Sequence, residues 1–292
     1  MNMQGSWLSA RRTVPVMNRL HGLWSLGTVV GGLVAVQAAA AGVAIWVHLA
    51  GVAAVLGLTL LVSARHLLGT DTDINTEGDV ARSEPDTGGG TEAERASRSQ
   101  AGLVSILGLG VLGGAAVTME LTTSDWAAFR LADDLGVSPG RAGLGFVAFT
   151  AGMVTGRFLG DTIQSAVGPR VLVRGAALLA AVGLALATVT PTTWYDGIAF
   201  LNPSLVTLAG YYLAALGVSV IFPHLYDAAA KAPGPVGRGL AALTAGTRIA
   251  GLSAPVFVGF VADTSLSVGA AVALATIPCC LLVFAVGVDK KS

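Results

Sequence analysis

Of 292 residues, 53% are hydrophobic and 12% charged, 39 are glycine, and Lys+Arg and Asp+Glu balance at 17 each. A soluble chain typically carries about 25% charged residues, so with a mean hydropathy of +0.72 this is the composition of a membrane protein. The balanced charge offers no basic surface and excludes nucleic acid as a partner, while the two cysteines, Cys279 and Cys280, adjacent in an apolar run, exclude a disulfide framework or thiolate metal cluster and read as packing residues.

Residues 1–19 are polar and end in Arg11, Arg12 and Arg19. The apolar run over 20–37 closes in four alanines, like a secretory signal, but it is long for one, holds His21 and Trp24, and is followed at once by a second run. About 20 apolar residues cross a hydrocarbon core of about 30 Å. That criterion predicts eight spans, at 20–37, 42–64, 101–119, 142–160, 171–190, 205–226, 239–262 and 267–288. Backbone in lipid must satisfy its own hydrogen bonds, so the fold class expected is an all-α polytopic bundle.

Eight spans put both termini on one side. Fourteen of the seventeen Lys and Arg then share that side, with Arg130 and Arg141 in loops opposite and Arg248 inside a span. By the positive-inside rule the shared side is cytoplasmic. Residues 69–100 hold eight acids, three arginines and a Gly triplet. They are expected as a disordered cytoplasmic linker, dividing a two-helix piece (1–68) from a six-helix piece (101–292).

Between the fourth and fifth spans, residues 156–174 read GRFLGDTIQSAVGPRVLVR, a charged turn between two apolar runs. Arg157, Asp161 and Ser165 are spaced i, i+4, i+8, which places them on one helical face.

This turn resembles the loop between the second and third helices of each half of a major facilitator superfamily transporter. There the pattern is Gly, three variable residues, Asp-Arg, one residue, Gly, then basic residues. Gly168 and Arg170 are kept, with Ser165 and Ala166 where the Asp-Arg pair would stand. Residues 119–149, MELTTSDWAAFRLADDLGVSPGRAGLGFVAF, resemble the seventh-helix end, external loop and eighth-helix start of the bacterial sugar-permease-related branch. Residues 1–33 resemble the segment entering the fifth helix. The resemblance implies helices five to twelve of a twelve-helix plan, without the first four. It also implies alternating access by a small polar solute in the inner membrane, with protons as a candidate coupling ion, and a gating loop at Arg157, Asp161, Gly168 and Arg170. Pseudo-symmetry would bring Asp161 to residues 15–19. A truncated membrane remnant or interaction protein without transport is the alternative.

Arg248 stands deep in a span, where a charge costs about 2.5 to 3.5 kcal/mol even on the lenient insertion scale. It reads either as a substrate-binding group or as half of a structural ion pair. Glu120, Asp125 and Trp126 close the third predicted span. They are candidates for a proton-coupling acid, a substrate contact and a stacking surface, or else for an ordinary hydrated helix end. Gly251, Pro255 and Gly259 form a candidate hinge, and Gly27-x3-Gly31 echoes that spacing in the first span. His21, His48 and His224 lack metal-ligand spacing, so no metal or cofactor is expected. No Ser-His or paired-Asp arrangement suggests an enzyme.

Overall fold

The computed structural model describes residues 17–64, 92–189, 202–230, 232, 237–264 and 266–286; within them, the side chains of 17–22, 24–25, 92–104 and 161 lie outside the description. The chain is an all-α polytopic bundle, with no strand among the described residues. Seven described helices are long and apolar enough to cross a membrane, and the described part of the first helix adds a shorter apolar stretch, Leu26–Ala40.

In chain order the helices are α1 (Met17–Ala40) and α2 (Ile45–Ala64), then α3 (Glu92–Val117), which begins inside the segment expected as linker. Residues 65–91, which include the rest of that linker, lie outside the described residues. From α3 the chain continues through a π turn, π1 (Thr118–Thr122), into α4 (Thr123–Phe129) and a second π turn, π2 (Arg130–Asp134). There follow α5 (Pro139–Ala142), α6 (Leu144–Val167), α7 (Pro169–Thr188), α8 (Pro203–Val218), α9 (Ile221–Ala230), α10 (Arg238–Ala262) and α11 (Val268–Val286).

Two expected boundaries are corrected. The span expected at 101–119 does not end at Met119 but runs on as one apolar segment, Ser105–Asp134. Arg130, expected in a loop, is therefore helical and 6% exposed. The turn expected over residues 156–174 shrinks to a single residue: α6 continues to Val167 and α7 starts at Pro169. Gly168 makes this link at φ +79°, a left-handed backbone that costs glycine nothing, and Pro169 starts α7 where its missing N–H costs no bond. The Asn202 side chain caps α8 by accepting from Ser204 N at 2.9 Å, again ahead of a proline at the first helical position.

Small residues decide which helices touch. A Cβ on Gly113 would meet Leu243 O at 2.7 Å, one on Gly114 would meet Gly246 O at 3.3 Å, and one on Gly246 would collide with Gly110 O. So α3 and α10 pack backbone to backbone. Gly152 against Tyr212 O and Gly183 against Ala214 N do the same for α6–α8 and α7–α8. This is the packing expected where lipid supplies no hydrophobic drive and close approach must supply dispersion instead. The core gathers between these pairs and α11, around Met119, Phe149, Leu184, Tyr211, Ile221 and Leu243. The glycines singled out from sequence are not the close contacts. A Cβ on Gly27 or Gly31 would meet nothing within 4 Å, and on Gly251 and Gly259 only ordinary contacts at 3.8 and 3.7 Å. α1 joins the bundle by laying Val36 on Gly143 and Gly32 on Phe146 and Val147, whereas α2 buries none of its residues.

Candidate functional site: polar groups within the spanning helices

Because α3, π1, α4 and π2 form one continuous segment, Glu120 falls near its middle and not at a hydrated end. It lies within π1, the kind of local widening often found at functional sites. Its Oε1 is 3.7 Å from Arg157 Nη2 on α6, with both side chains about one-quarter exposed. A carboxylate and a guanidinium at this depth each lower the other's cost of leaving water. Arg157 thus belongs to the helical wall and not to a loop. Two residues nearer the start of α6 than Arg157, Tyr212 OH donates to Thr155 Oγ1 at 3.1 Å, tying α8 to α6.

Asp125, one turn beyond Leu121, is exposed and accepts from Ser124 Oγ at 3.1 Å. Trp126 is half-buried. Its ring tilts at 46° against Phe129 with centroids 5.4 Å apart, and it packs on Val258, Val268, Ala271 and Val272. That places it in a seam between α4, α10 and α11.

Arg248 lies near the middle of the 25-residue α10 and is exposed. Neither of the two ion pairs among the described residues includes it. The helix passes Gly251, Pro255 and Gly259 without interruption. Leu121 abuts Gly251, and the Trp126 rim abuts Gly259. The same exposed side of the bundle therefore carries π1, α4 and this face of α10.

Of the gating residues, Gly168 is the one-residue link and Arg170 is exposed in the first turn of α7. Asp161 lies on α6, but its side chain and residues 15–16 are outside the described residues, as is their expected contact. No group of three or more His, Cys, Asp or Glu able to hold a metal occurs among the described residues. His224 is buried with Nδ1 2.7 Å from Val220 O, and Cys280 packs its Sγ 3.2 Å from Met119 Sδ.

Sequence reasoning missed a second polar cluster. Arg130 Nη1 donates to Asp134 Oδ2 at 2.8 Å, and Arg130 Nε donates to Ala187 O at 3.3 Å. Asp134 also accepts the N–H groups of Val268 and Gly269 at 3.1 and 2.8 Å, capping α11. The i, i+4 spacing of Arg130 and Asp134 was the available signal.

Fold and site together define a multi-pass helical membrane protein whose interior holds paired charges. The chain is similar to an uncharacterized MFS-type transporter of Yersinia pestis, 26% identical over 270 residues, covering 92% of this chain and 62% of that protein. It is also similar to the uncharacterized transporter y4wD of Sinorhizobium fredii, 27% identical over 255 residues, 86% of this chain and 59% of the relative. The membrane protein MosC of Rhizobium meliloti is 29% identical over 126 residues, 43% of this chain and 28% of MosC. The chain thus spans about three-fifths of the length of the first two relatives. No family model and no solved structure matches.

Proposed function

We propose that the chain acts as a secondary transporter of the major facilitator type, in the sugar-permease-related branch. It moves a small polar solute by alternating access, coupled to protons, across the bacterial inner membrane with both termini cytoplasmic. The observation that carries this reading is the Glu120–Arg157 pair, within the apolar segments Ser105–Asp134 and Pro139–Gly160 and on a side of the bundle left partly exposed. Buried charge of this kind is expensive to keep in a bilayer and marks solute or proton pathways. Similarity to proteins named as transporters supports the same reading.

In this account Glu120 exchanges the coupling proton and Arg157 holds its charge when it is ionised. α10 bends at Gly251, Pro255 and Gly259, and the region of Asp161, Gly168 and Arg170 gates the cytoplasmic end. The test is reconstitution of the full chain in proteoliposomes loaded with a pH-reporting dye, challenged with a panel of sugars, polyols and small organic acids. A solute-dependent proton flux that Glu120→Gln abolishes is the expected result. Absence of flux with every solute, or flux unaffected by Glu120→Gln, contradicts it.

A further inference from the structure

Two stripes of equal spacing run along α10. Thr244, Arg248, Gly251, Pro255 and Gly259 form one; Ala245, Ile249, Leu252, Val256 and Phe260 form the other, displaced by one residue or about 100° around the helix. The second stripe is apolar, with Ile249, Leu252, Val256 and Phe260 each 69 to 78% exposed, and suits lipid. The first is polar or small and adjoins Leu121 and Trp126. Arg248 therefore opens beside π1 and α4.

The register between helices fixes its depth. Gly114 approaches Gly246 and Ala250, and Leu121 approaches Gly251, so Arg248 is bracketed between the levels of Gly114 and Leu121, the turn that carries Glu120. The neighbouring charges are engaged elsewhere. Glu120 faces Arg157, and Arg130 and Asp134 close on each other. Asp125 adjoins Trp126, whose contact is Gly259, about 16 Å along α10 from Arg248 at 1.5 Å per residue. Among the described residues, this face holds one cation at mid-depth without a carboxylate in ion-pair range.

We propose that the solute is a small anion whose carboxylate, phosphate or sulfonate group docks on the Arg248 guanidinium. The planar fork of arginine suits two oxygens of such a group, and the anion supplies the balancing charge that the described residues do not. This assignment rests on the transporter reading above and names its solute class.

The test uses the purified full chain in detergent at constant ionic strength. Thermal stability is followed against inorganic phosphate, gluconate, neutral sorbitol and cationic choline, for wild type, Arg248→Gln and Arg248→Lys. At least one of the two anions is expected to raise the melting temperature of the wild type, while sorbitol and choline leave it unchanged. Arg248→Gln should weaken the apparent affinity about tenfold or more, and Arg248→Lys should keep part of it, which separates lost binding from lost folding. Equal stabilisation by an anion in wild type and Arg248→Gln overturns the proposal. Stabilisation by sorbitol or choline that ignores Arg248→Gln also overturns it, while leaving the transporter reading standing. No shift with any of the four counts against both readings.

Discussion

Asp134 accepts a charged bond from Arg130 at 2.8 Å and, with the same carboxylate, two backbone N–H groups at the start of α11. Since Arg130 also reaches Ala187 O at the end of α7, one buried pair ties together the ends of three helices. Removing one partner strands the other charge, and the expected cost is about 3 to 5 kcal/mol. Asp134→Ala should lower the thermal midpoint of the detergent-solubilised protein sharply. Arg130→Met combined with Asp134→Leu should recover much of the loss, because the apolar pair leaves no stranded charge. A double variant no better than Asp134→Ala would show that the capping of α11 outweighs the ion pair.

The α3–α10 contact gives a second expectation. A side chain on Gly246 collides with the Gly110 carbonyl, whereas one on Gly251 finds Leu121 at 3.8 Å. Gly246→Val should destabilise by about 1 to 3 kcal/mol or more, the range for overpacking, while Gly251→Ala should be nearly neutral. Paired thermal melts of the two variants check the contrast.

The Tyr212–Thr155 bond joins α8 to α6 and is neutral. Tyr212→Phe should cost about 1 kcal/mol, a small shift of midpoint with the helix content by circular dichroism unchanged.

The Glu120–Arg157 pair predicts charge rescue. Glu120→Gln and Arg157→Gln should each abolish proton-coupled flux in proteoliposomes. The exchanged variant Glu120→Arg with Arg157→Glu should regain correct insertion and a stability closer to wild type than Glu120→Arg alone. If the exchanged pair is as unstable as the single change, the two side chains do not depend on each other.

The apolar runs made most helices legible in the sequence, because lipid forces contiguous hydrophobicity on any helix that crosses it. α10 and α11 fall within two residues of the boundaries drawn from composition. Gly168 stood out in the sequence only through the family pattern; that it is the whole link, at φ +79°, came from the structure. The segment from Glu120 to Asp134 was misread because its four acids and one arginine look like a loop when counted along the chain. In the fold, three of those charges are matched pairwise, Glu120 by Arg157 on another helix and Asp134 by Arg130, and matched charges are tolerated within a helix. Pairing across 37 residues of sequence, as between Glu120 and Arg157, leaves no local trace.

The most direct test of the account is sidedness of water along α10, which requires no knowledge of the solute. In a background with Cys279→Ala and Cys280→Ala, single cysteines at Thr244, Arg248 and Gly251 and at Ile249, Val256 and Phe260 are exposed to a membrane-impermeant maleimide in vesicles. The account predicts labelling of the first three from an aqueous cavity and protection of the other three by lipid. Equal protection of both sets, or labelling of the Ile249 stripe in preference to the Arg248 stripe, would contradict it.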